Sequence, residues 1–149
     1  MRTRAGMVAS GIALLLVGCS PLSSTAPTAR PETDTDLLNR YFAAFNQAAD
    51  QGSEAQFAFL RTTQHPDFAA RLCELDGLTV DIYPAMSSVR PDPDWAPDGA
   101  SSPRGTVYVV GVSLTVRRDG TLVGEQIGSQ RVAILDRRTY GFAPCLNPR

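Results

Sequence analysis

Lysine is missing from this chain, and all 14 of its basic side chains are arginine. Schiff-base chemistry, a phosphate-cradling Walker lysine and a lysine general base are therefore excluded. Histidine occurs once, as His65, and cysteine three times, at Cys19, Cys73 and Cys145. One imidazole and three scattered thiols make no convincing transition-metal set. No G-x-S-x-G nucleophile elbow is present, since Gly111-Val112-Ser113 falls inside a strand pattern. The 14 arginines nearly balance 15 acids, so the basic face that nucleic acid requires is lacking too. Also missing is an apolar run that could span a bilayer. The longest, Met7 to Val17, is broken by Ser10 and Gly11 and falls short of the roughly 20 residues needed.

What is present at the N-terminus is an address. Arg2 and Arg4 precede the short apolar run, which closes on Leu16-Val17-Gly18-Cys19. A charged n-region and a short h-region make a secretory signal, and the closing four residues resemble a bacterial lipobox. The resemblance implies that residues 1–18 are removed and that Cys19 is acylated as the first mature residue. The membrane, through that anchor, is then the first expected partner. The expected location is the extracytoplasmic face of a cell membrane. At roughly 0.8 kcal/mol per buried CH₂, two or more acyl chains hold permanently where a single myristoyl chain binds reversibly.

Removing 18 of 149 residues leaves 131, the size of one domain with a tail. Residues 19–33 comprise the lipid-bearing cysteine and a Ser/Thr/Pro/Ala stretch that cannot bury a core, hence a flexible tether. Outside the cytoplasm, Cys73 and Cys145 form an even pair suited to one disulfide, with two reduced buried thiols as the alternative. The bridge would close a loop of about 70 residues, stabilising by roughly 4 kcal/mol.

Residues 34–149 read as a single α+β domain. Leu37, Leu38, Tyr41, Phe42, Phe45, Ala48 and Ala49 recur at helical spacing, with Asp34 or Thr35 as cap and Gly52 as the stop. Ser53 and Gln56 fit a capping box for a second helix carrying Phe57 and Leu60. His65-Pro66-Asp67 can open a third, with Phe68, Leu72 and Leu75 inward. After Gly77 the period becomes alternating: Leu78, Val80 and Ile82 against Thr79, Asp81 and Tyr83. A Pro-rich loop, 84–105, follows. Then come a strand over 106–117, an Asp119-Gly120 hairpin turn, and strands over 122–127 and 130–135. The expected architecture is two to three N-terminal helices on a curved, cone-like antiparallel sheet of about four strands, with one disulfide.

The segments YFAAFNQAADQGSEAQFAFL and VAILDRRTYGFAPC give this domain a resemblance to the nuclear-transport-factor-2-like superfamily, in particular to its exported bacterial lipoproteins. The resemblance covers about Asp34 to Cys145. It departs at Tyr140, where many members carry tryptophan. It implies a cone that can enclose an apolar pocket, lined in the isomerase members by acids and tyrosines.

Tyr41, Asp81, Tyr83, Tyr108 and Tyr140 are the side chains that could reach such a pocket, although the alternation turns Asp81 toward water. His65, ahead of a proline, reads as a surface or capping residue. Asp92, Asp94 and Asp98 read as solvated loop acids rather than a calcium site. Trp95, in Asp-Pro-Asp-Trp-Ala-Pro-Asp, is either an interface anchor or a plug folded onto the sheet. No cofactor and no metal are expected.

The primary expectation is a membrane-anchored lipoprotein whose non-catalytic domain binds an envelope protein or a small apolar ligand. Its candidate contact residues are Trp95, Tyr41, Asp81 and Tyr108. One alternative is a small-molecule isomerase- or dehydratase-like enzyme using the cone interior. Another is a structural subunit docking by its sheet face, supplied by the alternating strand 106–117.

Overall fold

The computed structural model of the chain describes residues 30–143. The expected signal peptide, Cys19, the tether as far as residue 29 and Cys145 lie outside the described residues. Among the described residues no helix is long and apolar enough to cross a membrane.

Helix α1 spans Asp34–Asp50. Thr33, one residue ahead of the expected cap, starts it. Its hydroxyl accepts the Asp36 N–H while the Asp36 carboxylate accepts the Thr33 N–H, satisfying two otherwise orphaned donors. Asp34 and Asp36 also place negative charge at the positive end of the helix dipole. The seven residues of the expected apolar stripe are all buried.

Helix α2 spans Ser53–Thr63 and departs from the expected capping box. Gly52 is the N-cap, with a φ of 106° that residues bearing a Cβ rarely adopt, and no side chain caps the helix. Gln56 is fully buried and committed elsewhere. The third helix is a 3-10 helix, Pro66–Arg71, opened by His65, whose ring accepts the Asp67 N–H.

Four strands follow as a fully antiparallel meander: β1 (Leu78–Pro91), β2 (Thr106–Arg118), β3 (Thr121–Leu135) and β4 (Arg138–Gly141). Their spatial order is the order of the chain. Two boundaries differ from expectation. The loop expected to begin at Pro84 begins at Asp92, because β1 continues through Pro84 and resumes pairing at Arg90 after a register shift. A proline is tolerated here because β1 is an edge strand and need not donate on its outer side. Gly128-Ser129, expected to separate two strands, runs inside a continuous β3.

The core lies between the helices and one face of the sheet. Leu38, Tyr41, Phe42, Phe45 and Leu60 pack against Val80, Ile82, Val110, Val112 and Val132. Gly141 of β4 admits the Tyr41 ring, since a Cβ at that position would overlap the phenol oxygen. The result is an α+β domain with its helices gathered on one side of a four-stranded antiparallel sheet.

Candidate functional site

The volume that a hollow cone would leave open is occupied. Tyr41, Phe42 and Phe45 make ring contacts with centroids 5.5 to 6.5 Å apart, and Phe59 closes on Tyr41 and Phe45 at 5.6 and 5.9 Å. Tyr41 is therefore a core residue rather than a pocket-lining acid, and its burial pushes the phenol well above the ordinary tyrosine range. Tyr108 is half-buried on the helix-facing side of β2. Its hydroxyl donates to Asp34 at the start of α1. That hydrogen bond to a carboxylate, with burial second, pushes Tyr108 up to about 12.

The opposite face of the sheet is divided in two. Over one half lies the loop 92–105. The Asp92 N–H donates to Val107 O at 2.9 Å and its carboxylate accepts Arg131 Nε at 3.0 Å. Trp95 packs between the Arg131 guanidinium, 5.3 Å away, and the Phe142 ring, which it meets edge to face at 4.6 Å. Trp95 is half-buried and folds back toward the half of the sheet where Val107, Val109 and Ala133 are buried.

The far end of this loop is held by His65, expected as a surface or capping residue; it is the N-cap of the 3-10 helix, but it is not at the surface. His65 is fully buried. Its Nδ1 accepts the Asp67 N–H at 3.2 Å, so Nε2 carries the proton and donates to Arg104 O at 3.0 Å. Its ring stacks on Phe142 at 5.4 Å. Asp67 grips the Arg104 guanidinium and backbone N–H together, which lowers its carboxyl to about 2. Both nitrogens of the one imidazole are thus engaged inside the protein.

The other half of this face is open. Register places Tyr83, Ser113 and Ile127 in one row across β1, β2 and β3. Serine is the small middle member, leaving a depression of about 680 Å³ between tyrosine and isoleucine, floored by Thr115 and bordered by Glu125. Tyr83 is 54% exposed and Ile127 88%. On its far side Tyr83 borders a second cleft of about 520 Å³ that runs to the α1–α2 junction. In that cleft Asp81 is buried and ion-paired with Arg117 of β2. The expectation that Asp81 looks at water is corrected. It does lie opposite the core, but Arg117, its neighbour across the strands, covers and neutralises it.

The four candidate contact residues therefore do not converge. Tyr41 is in the core, Tyr108 is tied to α1, Trp95 is folded onto the covered half beside a groove of its own, and of the four Asp81 alone borders the open half of the sheet. Tyr83, Arg117 and Ile127 make the open surface with it. Sequence reasoning passes over Ile127 and Arg117, although the strand alternation that puts both on the face of Asp81 and Tyr83 is a signal for them. The sheet-face alternative named strand 106–117 as its docking strand; the large apolar side chains exposed on the sheet are Tyr83 of β1 and Leu122, Val123 and Ile127 of β3.

Among the described residues no group of three or more His, Cys, Asp or Glu side chains could hold a metal ion. Comparisons with family models, with curated proteins and with solved structures find no match to this chain.

Proposed function

We propose that this chain is an exported lipoprotein, held at the extracytoplasmic face of a cell membrane through Cys19. Its domain is a member of the nuclear-transport-factor-2-like superfamily that binds a protein or an apolar ligand on the open half of its sheet. The observation that carries the docking reading is the filled helix–sheet interior. Tyr41, Phe42, Phe45 and Phe59 occupy the space that isomerase-like chemistry would need, while Tyr83, Ser113 and Ile127 form an accessible row on the opposite face. The anchor rests on the Arg2/Arg4 n-region and the Leu16–Cys19 motif. A tether of about 14 residues reaches roughly 45 Å when extended, enough to hold the docking face clear of lipid headgroups.

In-cell photo-crosslinking of the full chain tests both parts. A photoreactive side chain at Tyr83 is expected to give one discrete adduct in the membrane fraction. The same group at Ala70, exposed on the 3-10 helix, should give none. The adduct should leave the membrane fraction when Cys19→Ala is added. Tyr83 without an adduct would sink the docking reading, and a Cys19→Ala chain still partitioning as a lipidated protein would sink the anchor.

A further inference from the structure

The sheet has three stretches of outer edge, and the chain treats them differently. Along β1, Gln56 and Asn46 occupy the N–H and C=O of Val80 and Ile82 with four hydrogen bonds of 2.6 to 2.9 Å. Along β4, Gln64 forms a parallel bridge to Gly141, and the His65 N–H donates to Gly141 O at 3.0 Å. Along β3, pairing with β4 stops at Val132. From Thr121 to Ser129 no strand or side-chain amide covers that edge among the described residues. Nine residues make an edge of about 30 Å. All are exposed except the half-buried Gly124. Proteins ordinarily blunt such an edge with lysine, proline, inward charge or a covering element. This stretch, TLVGEQIGS, has one charge and a register shift at Val123, near its start; from Gly124 to Ser129 the pairing with β2 is regular and only Glu125 guards the edge.

The apolar exposure is concentrated on the same stretch. Of the four large apolar side chains exposed in the described residues, three are Leu122, Val123 and Ile127, and the fourth, Tyr83, shares a cross-strand row with Ile127.

Register says which groups are on offer. Val80 and Ile82 turn their backbone groups away from β2, so their partners Val116 and Leu114 turn theirs toward β3. Val116 and Leu114 then exchange hydrogen bonds with Gly124 and Gln126. It follows that Glu125, Ile127 and Ser129 present free N–H and C=O groups outward.

We propose that this edge pairs antiparallel with the same edge of a second copy, Ile127 opposite Ile127 at the two-fold axis. In that register Glu125 of each copy faces Ser129 of the other, so carboxylate meets hydroxyl. Centring the pair on Glu125 instead would set carboxylate against carboxylate, which is destabilising. The pairing extends the open face through the axis into one doubled docking surface, and in that respect rests on the docking reading above. The pairing itself stands on the edge alone.

The test uses the full chain in membranes. Directly opposed residues of a hydrogen-bonded antiparallel pair have Cα atoms about 5.5 Å apart, within disulfide range. Ile127→Cys should therefore give a disulfide-linked dimer on a non-reducing gel. Val123→Cys, also exposed but about 27 Å from its own copy at 3.4 Å per residue, should not. In the detergent-solubilised chain, Ser129→Pro removes only an outward N–H and should weaken self-association at least tenfold while the circular dichroism spectrum stays unchanged. A strictly monomeric wild-type chain, dimers unaffected by Ser129→Pro, equal crosslinking at 123 and 127, or an Ile127→Cys chain linked only to a different protein would each overturn the proposal. Loss of the Tyr83 adduct while the Ile127→Cys chain still dimerises would remove the docking reading and leave the pairing standing.

Discussion

Gln56 binds Val80 as a neighbouring strand would. Its Nε2 donates to Val80 O at 2.6 Å, and its Oε1 accepts the Val80 N–H at 2.9 Å. Both residues are fully buried. Two residues along, Asn46 does the same for Ile82 at 2.8 Å in each direction. The two helices thus end the sheet at β1 with borrowed amides, one from each helix, and the same four bonds fix the height of the helix layer on the sheet.

Gln56→Leu should consequently cost far more than the loss of two ordinary hydrogen bonds. It leaves the Val80 N–H and C=O buried without partners, and each such group costs about 1–3 kcal/mol. The expected loss is about 2–6 kcal/mol, read as a lowered urea midpoint with an unchanged slope. An unchanged midpoint would mean that the Val80 groups find other partners, and the amide would not be what closes this edge.

How far the sequence carries depends on which force places a residue. The α1 stripe is set by apolar burial at helical spacing, and all seven of its members are buried as that spacing predicts. Gln56 and Asn46 are opaque for the opposite reason. A polar side chain in a helix is ordinarily a solvated face or a cap, and only the neighbouring strand edge reveals its task. For Asp81 the alternation gives the correct face but the wrong environment, because Arg117 lies 36 positions away and meets it only through register. Trp95 and His65 carry no periodicity at all. Their places follow from the loop 92–105 folding back on the sheet, a tertiary event that no local pattern encodes.

Asp67 makes the latch on that loop pH-dependent in a defined direction. The Arg104 hydrogen bonds lower its carboxyl from the ordinary 3.8 to about 2 in the folded chain. A depressed folded value contributes stability that is complete above the unfolded value and is lost as pH falls through the folded one. Wild type should therefore exceed Asp67→Asn in thermal midpoint at neutral pH. The gap should begin to close as pH falls toward 4 and be gone only below about pH 2. A gap that persisted unchanged to pH 2 would show that the carboxylate charge is not what holds Arg104.

The cysteine pair can be tested from the neighbourhood of its first member. Arg71, two residues before Cys73, and Ala143, two residues before Cys145, line the same aromatic groove beside Phe142 and Trp95. A disulfide needs a Cα separation of roughly 4.4–6.8 Å. The proposed Cys73–Cys145 bridge would then tie the end of the 3-10 helix to the segment after β4, closing a loop of about 70 residues. Such a loop is worth about 4 kcal/mol on the chain-entropy account, and losses on removing a native bridge run about 2–5 kcal/mol. Cys73→Ser and Cys145→Ser should therefore lower stability by nearly equal amounts, and the double variant by no more than either alone. The bridged chain should also show no free thiol at these two positions when alkylated under denaturing, non-reducing conditions. Unequal losses, or additive ones, would indicate two separately packed thiols.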